Sequence, residues 1–340
     1  MLDRRSSTTA LSGALLLTLL LAPLPAQADP VADFYRGKNV NVLIGVGAGG
    51  EYDIQARLVA RHIGKHIPGH PTVVPQNMTG AGGLKMINYL YNVAPKDGTA
   101  IGMIANAFPA LQAVGSPGVQ FDAAKMHWIG SIAPAVETMA VWHTTGVKSI
   151  DDVRKRETVA GASARGAITF FYPAMMNELL GTKFKIVTGY PGGNAINLAM
   201  ERGEVEARNN TWSSWKATKA AWLQEKKIVV IAQAGPRASD LDAPSVEELA
   251  RGPQERQLIE LVVSGTQLGR PMATNAGPAD RVAALRAAYA ATMKDPEFLA
   301  EAKALNFEVN PVLGEPMQKI VEKVLATPKD VAVKAKGLLE

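Results

Sequence analysis

Apolar runs alternate with glycine-punctuated polar stretches, and this alternation sets the plan of the chain. Residues 39–44, NVNVLI, form a β-branched run that predicts a buried strand. The run ends in a turn containing Gly45, Gly47, Ala48, Gly49 and Gly50. Residues 52–67 then carry apolar side chains at helical spacing. The same order recurs. Residues 71–76 lead through Asn77, Met78, Thr79, Gly80, Ala81, Gly82 and Gly83 into a helix over 84–93. Residues 99–104 lead to Asn106. Residues 158–160 lead through Ser163, Ala164, Arg165, Gly166 and Ala167 into a helix over 168–180. Residues 185–187 lead through Tyr190, Pro191 and Gly192 into a helix over 194–202. Strands alternating with helices predict an α/β fold with parallel sheets. In such sheets ligands sit outside the carboxyl ends of the strands, where these turns fall.

Residues 121–147 separate two groups of units and contain two short strand-like runs, 129–132 and 139–142. A further run, 228–233, precedes a Pro- and Asp-rich turn over 236–244. Residues 278–305 read as helical, with Pro296 placed to open a second helix. A segment inserted between two halves of another domain predicts two lobes with a cleft between them. The expected outer lobe spans 29–136 and 236–340, and the expected inner lobe 137–235.

Arg4 and Arg5 precede an apolar stretch over 11–22 and the small-residue site Ala26-Gln27-Ala28, the layout of a cleaved secretory signal over residues 1–28. The stretch is shorter than the ~20 residues of a membrane span. Its removal takes Asp3, Arg4 and Arg5 and lowers the net charge from +5 to +4. Lys and Arg are interspersed with acids, as in residues 151–157, which excludes the clustered basic face of a nucleic-acid binder. A mildly positive field favours small anions. There is no cysteine, which removes disulfides, thiol nucleophiles and cysteine metal sites.

Gly45, Gly47 and Gly50 match the G-x-G-x-x-G fingerprint of dinucleotide sites. That fingerprint requires an acid about 20 residues on, for the ribose. No acid occurs between Asp53 and Asp97, so a nucleotide cofactor is not expected. Two readings remain, a tight turn or a small-anion seat built from backbone N–H groups at a helix start. The second glycine turn, with Asn77 and Thr79, can add donors to that seat. His62, His66 and His70 have metal-like spacing, but Pro68-Gly69 ends the helix and no carboxylate lies between His62 and His66. Solvated helix histidines, and no metal, are the expectation. No G-x-S-x-G motif is present, and His127 and His143 have no obvious Ser or acid partner, so no catalytic residue is assigned. Arg165, among small residues before a helix, either forks onto a carboxylate or faces solvent. Tyr190 can flank a ligand or pack in its loop. Asn209 lies where a polar strand tip meets the cleft. Trp212, Trp215 and Trp222 read as packing.

Taken together, these motifs resemble the Bug-type periplasmic receptors of tripartite tricarboxylate transporters. The residues are Gly47-Ala48-Gly49-Gly50 with Asp53, Ala56 and Arg57, and Asn77 with Gly80-Ala81-Gly82-Gly83. They continue with Ala94-Pro95, Asp97-Gly98-Thr99, and Thr188-Gly189-Tyr190-Pro191-Gly192-Gly193. Gly203-Glu204-Val205-Glu206 and Ala276-Gly277-Pro278-Ala279-Asp280-Arg281-Val282 complete the set. The resemblance implies a two-lobed type II periplasmic binding protein, each lobe a doubly wound, mostly parallel sheet. It implies a monomeric, non-enzymatic receptor without cofactor. Such a receptor closes on a small organic carboxylate, a di- or tricarboxylate or an aromatic acid. It passes the ligand to a membrane permease of large and small subunits. A sensory component or a periplasmic enzyme using the same cleft are the alternatives. Implied contacts lie at Gly47, Ala48, Gly49, Gly50, Tyr52 and Asp53, and at Asn77, Met78, Thr79, Gly80, Ala81, Gly82 and Asn106. Across the cleft they lie at Ser163, Ala164, Arg165, Gly166 and Ala167, with Tyr190 and Asn209. Two departures stand out. Ile44-Gly45-Val46 replaces a proline-rich lead-in, and Arg208-Asn209-Asn210 replaces a strand-tip acid. With Arg165, the second makes the inner lobe more basic and predicts a second carboxylate or another acceptor-rich group on the ligand.

Overall fold

The computed structural model describes Met1, residues 29–275 and residues 277–339. The signal-peptide expectation falls, Met1 apart, outside the described residues. Among the described residues eleven strands form: β1 Asn39–Ile44, β2 Thr72–Asn77, β3 Ala100–Met103, β4 His127–Ser131, β5 Glu137–Trp142 and β6 Thr158–Gly161, then β7 Phe184–Val187, β8 Ala207–Thr211, β9 Ile228–Ala234, β10 Met272–Thr274 and β11 Val312–Leu313. They build two mixed sheets flanked by helices, in the orders β11-β4-β10-β3-β1-β2 and β7-β6-β8-β5-β9.

The parallel expectation holds where strand-turn-helix units follow one another. β1 pairs in parallel with β2 and β3, and β6 with β7 and β8. Elsewhere the pairing is antiparallel. β5, the first strand after the chain leaves the first sheet, lies antiparallel to β8 and β9. β10, the first strand after its return, lies antiparallel between β3 and β4. A strand arriving from the neighbouring sheet enters from the opposite end, and an antiparallel ladder takes it in without a crossover helix.

Helix Glu51–Ile63 opens with Glu51 and Asp53 in its first turn, where acids complement the helix dipole. The helix stops four residues before the expected end at 67 and passes into the 3-10 turn Gly64–His66. Gly64 passes so close to the chain that a Cβ would lie 2.8 Å from the Pro71 carbonyl oxygen. Pro296 does split the C-terminal helical stretch, into Ala279–Thr292 and Pro296–Ala304, and Asp295 caps the second. Helices Pro253–Val263 and Lys329–Leu339 pack against helix Ile168–Leu180, which covers the second sheet. Leu258, Val331 and Ala335 therefore share an apolar cluster with Phe171 and Met175. The three tryptophans read as packing split by depth. Trp215 and Trp222 are buried beside Trp142, and half-buried Trp212 donates to Asp240 at 2.7 Å. Among the described residues no helix is long and apolar enough to cross a membrane.

Candidate functional site

The ends of β1, β3, β5 and β8 converge on a cavity of about 90 Å³ between the two sheets. Of the residues expected there, Gly50, Tyr52, Gly82, Asn106, Ser163, Ala167 and Asn209 line it. Others brace it from outside. Asp53 accepts hydrogen bonds from the Gly49 N–H, from Arg57 Nε and from Asn77 Nδ2, each at 2.9 Å. Burial raises its carboxyl, but these bonds outweigh burial and hold it below the usual range. Asn77 Nδ2 also donates to the Val46 carbonyl at 2.9 Å, which ties the two glycine turns together.

Gly47, Ala48, Gly49 and Gly82 form a seam between the sheets. The Gly47 N–H donates to the Pro191 carbonyl at 3.2 Å, and Asn194 Nδ2 donates to the Ala48 carbonyl at 3.4 Å. Gly82 has φ +64°, and a Cβ there would meet those of Ala164 and Ala167 at 3.3 Å. Thr79, Gly80 and Ala81 are exposed, Gly166 is half-buried, and half-buried Met78 packs on the core. Arg165 is exposed, lies outside the cavity lining, and stacks its guanidinium 5.3 Å from the Phe170 ring centroid. Half-buried Tyr190 packs against the inner apolar cluster.

The cavity also holds four charged side chains, Glu51, Glu137, Arg208 and Arg270, of which the sequence had pointed only to Arg208, as a basic departure in the inner lobe. Glu51 Oε2 accepts from Arg270 Nε at 2.9 Å and Nη2 at 2.7 Å. The Glu51 carboxylate also accepts from the hydroxyls of Thr211 and Ser213 at the end of β8. Arg270 Nη1 donates to Glu137 Oε1 at 3.4 Å and to the Tyr52 hydroxyl at 3.3 Å, and its guanidinium stacks on the Tyr52 ring. Burial opposes the charge of Arg270, but Glu51, Tyr52 and Glu137 outweigh it and hold its pKa above the ordinary value. Burial pushes the Glu137 carboxyl up, against the pull of Arg270.

Arg208 is different. It is 4% exposed. Its Nη1 donates to the Gly193 carbonyl at 2.6 Å and to Asn197 Oδ1 at 2.7 Å, and its Nε donates to the Asn209 carbonyl at 3.1 Å. All three acceptors are neutral, and among the described residues no acid pairs with it within 4.0 Å. Burial lowers its pKa to about 9. Around it, Asn106 Nδ2 and Oδ1, Asn209 Oδ1, Asn210 Nδ2 and Glu137 Oε2 are buried without a hydrogen-bond partner. Buried polar atoms are normally satisfied, so this concentration leaves the cavity with unused donors and acceptors that a polar guest or water can engage.

His70 is exposed, as expected, but His62 and His66 are held in ion pairs rather than left to solvent. His62 Nε2 pairs with Glu301 and His66 Nε2 with Asp295, both at 2.7 Å, across to helix Pro296–Ala304. His62, Asp295 and Glu297 are spaced to hold an ion, but Lys65 Nζ already sits 2.6 Å from both Asp295 and Glu297.

No protein-family model matches the chain. A curated relative from Cupriavidus necator, the UPF0065 protein in gbd 5'region, is 26% identical over 246 residues, covering 68% of this chain and 70% of that protein. The structure of periplasmic binding protein BugD aligns over 88% of this chain and 98% of its own, with a TM-score of 0.72 and 20% identity. That of R. palustris Rpa4515 with adipate aligns over 88% and 97%, with a TM-score of 0.69 and 19% identity. The chain thus has the fold of a two-lobed periplasmic binding protein with its cleft between the sheets. These neighbours bear out the resemblance to the Bug-type receptors that the glycine motifs carry.

Proposed function

We propose that the protein is a non-catalytic solute receptor that closes on a small organic carboxylate and uses Arg208 as the carboxylate's counter-ion. One observation carries this, a buried guanidinium in the cleft whose partners are all neutral. A charge held out of water without an opposite charge is costly, and an arriving carboxylate removes that cost with a forked hydrogen bond. Asn106 and Asn210 supply further donors from either side. The lining contains no His, Lys or Cys, which suits reversible capture over turnover. At about 90 Å³ the cavity is smaller than the ~150 Å³ that accommodates benzene. Its size favours a compact aliphatic acid over an aromatic one. The adipate in the R. palustris neighbour supports the carboxylate class. Export to the periplasm, a monomeric state and delivery to a permease of large and small subunits complete the proposal.

Thermal-shift screening of mono-, di- and tricarboxylates and aromatic acids tests it. A ligand at ~100 times its dissociation constant stabilises the fold by ~2.7 kcal/mol. Arg208→Lys, which keeps the charge but loses the fork, should weaken the best acid by at least about tenfold. No response to any acid, or an unchanged response in Arg208→Lys, overturns it.

A further inference from the structure

The charges of the cavity constrain the far end of the ligand. Glu51 and Arg270 are paired at 2.7 Å, which leaves Arg208 and Glu137 to face the guest. Given the reading above, on which this inference rests, the ligand carboxylate goes to Arg208. Glu137 is fully buried; its Oε1 reaches Arg270 Nη1 at 3.4 Å, the neighbouring Asn209 amide also favours its charged form, and its Oε2 has no partner within hydrogen-bond distance. Two positions along the same ladder, β5 Met139 opposes β8 Asn209, which brings Asn209 beside Glu137. Asn209 Nδ2 donates to the Thr138 carbonyl at 3.2 Å, which fixes the amide orientation and leaves Oδ1 as a second buried acceptor without a partner. Two orphaned acceptors on one wall call for a donor with more than one hydrogen, which a nitrogen supplies.

Charge balance agrees. With Glu137 ionised, the four side chains sum to zero. A dicarboxylate then leaves the set two charges negative, because Arg208 matches only one of its carboxylates, whereas a zwitterion leaves it neutral. With Glu137 protonated the set carries one positive charge. A monocarboxylate with a neutral donor balances it, while a dicarboxylate still leaves a surplus. No protonation state of Glu137 balances a dicarboxylate. We propose that Glu137 and Asn209 form a donor-selecting subsite, and that the ligand is a compact monocarboxylate bearing an amide or ammonium nitrogen.

Calorimetry at pH 7 on the mature chain with succinate, succinamate and 4-aminobutyrate reads this directly. Succinamate or 4-aminobutyrate should bind at least about tenfold tighter than succinate, because succinate leaves both acceptors unpaired and adds a like charge. Glu137→Gln, which can donate to the second carboxylate and carries no charge, should cut that preference to within about threefold, near 0.6 kcal/mol. If Glu137→Gln fails to fold, Asn209→Ser should narrow the ratio in the same sense. Succinate binding as tightly as the nitrogen-bearing acids overturns the subsite, as does a preference unchanged in the folded variant. If none of the three binds but another acid does, the subsite falls and the carboxylate receptor stands. If no acid of any class binds, both fall.

Discussion

Arg208 and Arg270 sit in one cavity, at 4% and 5% exposure, yet their surroundings are opposite. Arg270 has two glutamates and a tyrosine face around it, and its charge is secured above the ordinary range. Arg208 has two carbonyls and an amide, and its pKa is brought down to about 9. Depth alone therefore does not separate a structural charge from a functional one. What separates them is whether the fold supplies the counter-ion or leaves it to be brought in.

The comparison is broken or sharpened by experiment, beginning with the largest effect. Arg270→Met strands Glu51 and Glu137 in the interior and should cost about 3–5 kcal/mol in urea denaturation. A loss below about 1 kcal/mol would mean that Arg270 is not the structural member of the pair. Arg208→Met should weaken the best acid by about 2–5 kcal/mol in calorimetry. Its cost to stability should be the smaller one, about 1–3 kcal/mol, from the acceptors left at Gly193 and Asn197. Gly49→Ala acts on the seam instead. Gly49 has φ +81°, and a Cβ would lie 2.4 Å from Asn194 Nδ2. Strain of about 1–3 kcal/mol should appear as weaker binding and a wider ligand-bound envelope in small-angle scattering.

Acid reaches a different region. Lys65, with His66 and the cap N–H groups, holds Asp295 well below the carboxylate range, and Arg61 and His62 hold Glu301 below it. Lowered acids contribute stability that is present above their unfolded pKa values, ~4, and is lost as pH falls toward the folded ones. Protection of the amides in helix Pro296–Ala304, taken relative to their intrinsic exchange rates, should therefore fall below about pH 4. The smallest effect is expected at Arg165→Ala, which should change binding by less than about 0.5 kcal/mol, as at an exposed position away from the cavity.

Much of the scaffold was legible because it is local. Val40, Val42 and Ile44 alternate into a fully buried face of β1, and the glycines after it announce the turn that begins helix Glu51–Ile63. The antiparallel insertions were silent, since β10 is three residues long and too short to show a period. The residues of the cavity divide the same way. Gly50, Gly82 and Asn106 stand in or beside small-residue turns, and Asn209 in a polar run read as a strand tip, so all four could be singled out. Arg270 meets Glu51 across 219 positions of sequence, and nothing near it in the chain foretells a buried partner. Glu51 had a weaker signal, an acid directly after the last glycine of an anion-seating turn, where its own carboxylate reaches into the cavity. The histidines misled for the same reason, with partners 239 and 229 residues away.

The seam at Gly47 and Ala48 has a consequence for how such a receptor can diversify. Its acceptors are the carbonyls of Pro191 and Ala48, and one of its donors is a main-chain amide. Main-chain atoms survive replacement of the side chains they carry. The clasp is therefore largely insulated from mutations that redraw the cavity wall. On the proposed reading, the side chains that choose the guest and the main-chain atoms that join the sheets are separate, so substitutions at positions such as Glu137 or Arg208 can redraw the first and leave the second intact.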